Sequence, residues 1–253
     1  MATSAAAEES LPGPVRLLLV LGVDNADKAA RPAAFEQRLG MMWAFARDVR
    51  NGLDEAGSGS SSGAEGVSID VCLSKQPYFH SKSEAIASSD FYKVEESEGT
   101  GGKGAAETEQ VILVGYDTLI RILDPKYYGS SSTTASGATD AEETPLRKAL
   151  DPFFKRAKLR VTARTGAEWG GKDDQSAYLQ NLLNGDGLQN VGGSREWAKR
   201  IETVEGRKEG EPLVSSTLAR EAAKAKDWAR FGEFVSHGVK RWAEGEKLYS
   251  EDV

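Results

Sequence analysis

The sequence predicts an α/β fold on a doubly wound, mostly parallel sheet, and three observations predict it. Short runs of apolar or alternating residues recur along the chain. Segments whose apolar residues fall three and four apart stand between them. Polar, Gly- and Ser-rich stretches lie between these elements and not inside them. Strands that alternate with helices pair in parallel through right-handed crossovers, since a twisted strand feeding a helix packs back on its sheet only that way. The expected architecture is therefore Rossmann-like.

The first element follows the Pro/Gly punctuation of residues 12–14, where VRLLLVLGV is a nearly continuous apolar run, the pattern of a strand buried on both faces. Phe35, Leu39, Met42, Ala46 and Val49 then form one helical stripe, ending near Asn51 and Gly52. Val67, Ile69, Val71 and Leu73 alternate as a second strand, and Ser81 with Glu84 has the spacing of a capping box on a short helix. VILV at 111–114 is a third strand, closed by Gly115 and followed by a helix through DTLIRIL that stops at Asp124 and Pro125. A helix over 146–157, a strand over 159–164, a helix over 173–184 ended by Gly185, and a short strand over 200–204 continue the alternation. An Ala-rich helix over 217–230 and a last helix holding Val235, Val239 and Trp242 complete it.

The 253 residues suffice for a full-sized core, and they read as one domain over 15–250 after a disordered segment at 1–14. Low-complexity insertions fall near 54–66, 95–109 and 129–144, as exposed loops that tolerate length changes. A net charge of −7 provides no global positive field for nucleic acid or an anionic membrane, so any phosphate site must be local. The single cysteine, Cys72, has no partner for an internal disulfide. The longest apolar run, 17–23, is far shorter than the roughly 20 residues that span a bilayer. The opening MATSAAAEESLPGP is acidic where a targeting peptide would be basic, and a cytoplasmic or nuclear protein is expected.

Ligands of such sheets bind beyond the carboxyl ends of the strands, where helix N-termini gather. Three segments qualify. In VSSTLAR at 214–220, Ser215, Ser216 and Thr217 open a helix and Arg220 lies one turn on, a set that could meet a phosphate with hydroxyls, helix dipole and guanidinium. On the residues alone, the plainer reading is a serine N-cap and an exposed arginine. Gly115 and Asp117, after the third strand, could offer close backbone approach and a carboxylate to a ribose hydroxyl, or simply a turn glycine and an Asp cap. Lys28, in the turn after the first strand, and Arg38, on the next helix, are cations that could serve a phosphate or stay solvated. His80 and His237 are the only histidines; His80 reads as an exposed loop residue, and His237 lies on the last helix. Trp169 and Trp197 read as packing residues. No spaced Cys/His cluster points to zinc, and no metal-binding residues are assigned.

VSSTLAR resembles the ISSTxxR motif of nucleotidyltransferases, and Gly115-Tyr116-Asp117 resembles their GxD. VGYDTLIRILDPKYYG, LDPFF, LRVTAR and the closing FVSHGVKRWAEGEKLY widen the likeness to residues 17–249. The chain is similar to the nicotinamide/nicotinate mononucleotide adenylyltransferase-like proteins of the HxGH superfamily, and specifically to their fungal-type subgroup. The resemblance implies a sheet of the nucleotidyltransferase type and transfer of AMP from ATP to nicotinamide or nicotinate mononucleotide, with Mg²⁺ on the phosphates. Ser215, Ser216, Thr217 and Arg220 would hold the ATP phosphates, Gly115 and Asp117 its adenosine side, and Lys28 the mononucleotide phosphate. The chain departs from the family at its front, where the SFNPxHxGH turn has no counterpart, so catalytic residues are unassigned. By the same resemblance the chain begins at the second strand of the family's sheet, as an N-terminally truncated member lacking the first strand. A non-catalytic nucleotide-binding or interaction protein, and a transferase acting on a phosphopantetheine or cytidylyl acceptor, are the other readings of the same motifs.

Overall fold

A computed structural model describes residues 15–23, 33–57, 67–92, 108–129, 144–163, 171–204 and 214–249. In chain order its elements are β1 (Arg16–Gly22), α1 (Phe35–Gly57), β2 (Ser68–Ser74), α2 (Phe79–Ala87), β3 (Gln110–Gly115), α3 (Tyr116–Ile122) and α4 (Pro145–Arg156). β4 (Ala157–Thr162), α5 (Lys172–Asn184), α6 (Gly187–Asn190), β5 (Ile201–Val204), α7 (Ser216–Lys224), α8 (Trp228–Phe231) and α9 (His237–Gly245) follow. Short 3₁₀ turns occupy Asp90–Tyr92, Pro125–Tyr127 and Arg195–Arg200. Every strand pairing among the described residues is parallel, and the fold is the expected α/β, Rossmann-like class. The low-complexity insertions lie almost wholly outside the described residues. The chain divides into two compact units, Met1–Pro77 with Val214–Val253, and Tyr78–Leu213.

In the first unit, β1 and β2 pair along their full length, with Leu17 opposite Ile69 and Leu21 opposite Leu73. Arg16 grips Asp70 across the pair with two bonds, Nε to Oδ2 at 2.9 Å and a second at 3.2 Å. α1 continues five residues beyond Gly52, where the sequence predicted its end, because Leu53 extends the apolar stripe into the core and is buried. A glycine inside a helix costs about 1 kcal/mol relative to alanine, less than the burial of one leucine returns.

The helix expected over 217–230 is two helices. After Lys224 the chain turns through Lys226 at φ 56°, while the Lys226 amide bonds Ala223 O and the Asp227 amide bonds Ala222 O, both at 2.9 Å. This pairing of a short and a long reverse bond is a Schellman motif, and it ends α7 without a glycine. Asp227 then caps α8, its carboxylate accepting from the Arg230 amide at 3.0 Å. α9 begins only at His237, so Val235 precedes it and packs against the core from outside the helix. Its amino end is capped from α1, where Asp48 accepts from the Gly238 amide at 2.7 Å. Two turns earlier on α1, Gly40 lies under the Trp242 ring, so close that a Cβ would stand 2.3 Å from a ring carbon. The two helices therefore approach at a glycine.

In the second unit the strand order is β3-β4-β5. Leu159 and Val161 of the central β4 are fully buried, as a strand covered on both faces requires. α4 supplies Leu150 and Phe153, also fully buried, and Phe154 stacks on Trp197 with ring centroids 5.1 Å apart. Thr144 starts α4 as its N-cap, accepting from the Arg147 amide at 3.1 Å, with Pro145 in the first turn, where its missing N–H is harmless. α2 starts at Phe79, earlier than the predicted capping box, and its N-cap Tyr78 makes no side-chain capping bond; Ser81 falls inside the first turn.

Replacing Gly40 with alanine forces the Trp242 ring aside. The unfolding free energy of Gly40→Ala, read from urea denaturation, is expected to fall by about 1–3 kcal/mol, the usual cost of overpacking a close contact.

Candidate functional site

The first candidate is the amino end of α7. Ser215 has extended backbone angles, φ −136° and ψ 138°, and its Oγ accepts from the amides of Thr217 at 3.1 Å and Leu218 at 3.4 Å. It is thus an N-cap, as the plainer sequence reading has it. Those two amides are already bonded. What remains toward an anion is the exposed Ser216 and Thr217 hydroxyls, the helix dipole, and Arg220. Arg220 is half-buried, and one of its terminal nitrogens donates to Thr217 Oγ1 at 3.3 Å, so the guanidinium is folded back along the first turn. Ala219, Ala222 and Ala223 occupy the opposite face and are buried, which fixes the rotation of the helix and leaves its polar side outward. Sequence-predicted Ser215, Ser216, Thr217 and Arg220 are brought together on one helical turn.

The second lies at the carboxyl end of β1. Arg38, in the first turns of α1, donates to Gly22 O at 3.1 Å, and its guanidinium lies 6.0 Å from the Phe35 ring centroid. Its Nε is shut off from solvent and has no hydrogen-bond partner among the described residues. A buried unsatisfied donor costs about 1–3 kcal/mol, so an acceptor brought to this point would recover that loss. Lys28 and the turn around it lie outside the described residues.

The third is the turn from β3 into α3, in the second unit. Gly115 is itself the N-cap, at φ −83°, and Asp117 lies in the first helical turn, so the alternative of an Asp cap does not hold. The dihedral angles do not require glycine; a Cβ there would stand 2.9 Å from Asp117 Oδ1, the end of a flexible side chain. Asp117 therefore folds back over the bare backbone of Gly115, at the strand end where sheets of this kind bind ligands. Tyr116 between them is buried, edge-on to Tyr178 with centroids 5.6 Å apart, and burial pushes its phenol up.

The remaining sequence candidates sort by their surroundings. Trp197 is buried and donates from Nε1 to Asp151 at 2.8 Å, a packing role; Trp169 lies outside the described residues. His237 is exposed at the start of α9. His80 is not an exposed loop residue: it lies in the first turn of α2, half-buried, stacked on Tyr78 at 5.6 Å and tilted against Tyr128 at 5.4 Å. Its Nδ1 is buried without a partner among the described residues. Arg156 reaches the same place, bonding Ser83 Oγ at 3.1 Å and His80 O at 3.4 Å. Sequence reasoning missed this cluster because its aromatic partners come from PYFH at 77–80 and from Tyr128, almost 50 positions apart. Among the described residues no group of three or more His, Cys, Asp or Glu side chains comes together as a metal site. Hydroxyls and a guanidinium at α7 suit an anion and not a cation. No described helix is long and apolar enough to cross a membrane.

These features define an α/β protein with parallel strand pairing and helices that start at strand ends. Comparison with known proteins narrows the class. The chain is 29% identical over 218 residues to a Schizosaccharomyces pombe protein described as "Putative nicotinamide mononucleotide adenylyltransferase", a match covering 86% of this chain and 69% of that one. No family model matches the chain. No solved structure matches it.

Burial is the main cause that lowers the His80 pKa; the Arg156 charge adds to it and Glu84 opposes it. The folded-state pKa thus lies below the unfolded value of about 6.5, and the unfolded chain binds more protons as pH falls through that value. Stability contributed by neutral His80 is present above pH of about 6.5 and is lost below it. Melting temperatures recorded between pH 5 and 8 are expected to fall on the acid side, and the fall is expected to shrink in His80→Phe.

Proposed function

We propose that the chain is a nicotinamide-nucleotide adenylyltransferase, transferring AMP from ATP to nicotinamide or nicotinate mononucleotide with release of pyrophosphate. The observation that carries this reading is the similarity to the S. pombe protein across 86% of the chain. The turn of α7 supports it, because it gathers Ser216, Thr217 and Arg220 at one helix N-terminus. In the reaction, a phosphate oxygen of the mononucleotide attacks the α-phosphorus of ATP. The bond from that phosphorus to the bridging oxygen breaks, and pyrophosphate departs with the electron pair. Such a transfer needs alignment of two anions and stabilisation of the leaving charge more than covalent help.

Arg220 and the Ser216 and Thr217 hydroxyls would hold the β- and γ-phosphates, with Ser215 keeping the turn in shape. Gly115 and Asp117 would meet the adenosine, Asp117 accepting from a ribose hydroxyl. Lys28 would take the mononucleotide phosphate, and Arg38 Nε, unpartnered among the described residues, is a second donor of the right charge for it. Mg²⁺ would enter on the ATP phosphates, since it keeps substrate oxygens and waters as ligands where protein carboxylates are few.

The test is formation of dinucleotide and pyrophosphate from ATP, Mg²⁺ and nicotinamide or nicotinate mononucleotide by the purified chain. Arg220→Ala is expected to lower kcat/KM by roughly 10²- to 10³-fold, the scale of losing one preorganised donor. ATP binding with no dinucleotide formed would replace this reading with that of a nucleotide-binding protein. Turnover only with a phosphopantetheine or cytidylyl acceptor would keep the reaction class and change the substrate.

A further inference from the structure

α2 is held to its unit by a polar joint and by little apolar burial. Of its residues Ser83 alone is buried, whereas α4 buries Leu146, Leu150, Phe153 and Phe154. Hydrogen bonds from β3 and α4 reach it at two positions one turn apart. Gln110, the first residue of β3, donates from Nε2 to Ser83 O at 3.0 Å. Arg156, the last residue of α4, donates to Ser83 Oγ at 3.1 Å and to His80 O at 3.4 Å. The His80 imidazole fills the space beside them, 5.6 Å from the Tyr78 ring and 5.4 Å from that of Tyr128. Two buried atoms of this joint, His80 Nδ1 and Gln110 Oε1, have no partner among the described residues. A helix with so little buried apolar surface and an under-satisfied joint stands at the low end of local stability.

We propose that α2 is an acid-released latch at the amino ends of β3 and β4: protonation of His80 frees the helix from Gln110 and Arg156 while β3, β4 and β5 stay paired. The joint lies at the opposite end of β3 from Gly115, and the inference does not depend on nucleotide chemistry. In the docked helix an imidazolium would stand in the first turn, where the backbone amides already present positive charge, and next to the Arg156 guanidinium. A proton on Nδ1 would also be buried with no acceptor among the described residues. Burial first, and Arg156 with it, hold the His80 pKa below its ordinary value, while Glu84 on the same helix pulls the other way. The other groups about the joint are the phenols of Tyr78, Tyr127 and Tyr128, the Arg156 guanidinium, and the Lys82 ammonium over the Phe79 ring. Groups of those kinds do not ordinarily change charge between pH 5.5 and 7.5, which leaves His80 to do so.

The test is hydrogen–deuterium exchange of the full chain at pH 7.5 and 5.5, with rates corrected for the intrinsic pH dependence of amide exchange. Protection over residues 79–87 is expected to lie at least about tenfold below that over β4 at both pH values, the mark of local opening. It is expected to fall a further three- to tenfold or so at pH 5.5, because an open state with the ordinary histidine pKa of about 6.5 gains up to about tenfold over that range. His80→Phe keeps a ring against Tyr78 and Tyr128 and cannot titrate, so its α2 protection is expected to be the same at both pH values. Protection of α2 equal to that of β4, no fall in the wild type, or a fall that persists in His80→Phe overturns the proposal. A ¹³Cε1-histidine titration of the wild type needs no folded His80→Phe, and the two histidines are told apart by His237→Gln. The His80 midpoint is expected below about 6.5, and one at or above that value overturns the proposal.

Discussion

Parallel pairing is the constraint on which the rest of this molecule depends. Parallel strands cannot be joined by a tight turn, so each must leave the sheet through a crossover and return at the same end. α1 makes that passage between β1 and β2, and α4 leads directly into β4. Because of it, carboxyl ends of paired strands lie side by side: Gly22 opposite Ser74 in one unit, Gly115 opposite Thr162 in the other. The chain begins its helices there, and helix N-termini with their partial positive charge follow from the topology before any ligand is considered.

The second level of control is the termination of helices. α7 and α9 both end in Schellman turns at lysines, Lys226 and Lys247, where glycine is the usual residue. Each left-handed lysine costs on the order of 1 kcal/mol, and buried apolar neighbours offset it. The result is a short helix whose alanine face is closed off by Phe231, Ala243 and Leu248. With that face fixed, the polar residues of α7 have one direction left to point. Local hydrogen bonding at the start of α7 then divides the labour, since Ser215 satisfies two amides while Ser216 and Thr217 keep their hydroxyls exposed.

Polar groups left with spare capacity are the informative ones in such a fold. Arg160 and Arg200 illustrate the opposite case: Arg160 bonds Glu202 across β4 and β5, and Arg200 bonds Glu109 and the carbonyls of Phe154 and Ala157. These arginines hold elements together. Arg38 differs because one donor remains buried and, among the described residues, unmatched at a strand end. The contrast rests on hydrogen-bond geometry and burial, which a cation count over the sequence cannot supply.

Local periodicity and punctuation made much of the fold legible: the strands near 15–23, 67–73, 111–114 and 200–204, and the helices stopped by Asp124, Pro125 and Gly185. Those features act over a few residues, so the sequence by itself determined them. It also determined that the hydroxyls and arginine of VSSTLAR share one helical turn, because they stand at fixed helical spacing. Tertiary structure decided what spacing cannot carry. The extension of α1 past Gly52 depended on a buried Leu53, and the break after Lys224 on a left-handed turn that no glycine announced. The surroundings of His80 were settled by residues distant in the chain, since burial, stacking and charge depend on what packs against a side chain and not on what precedes it.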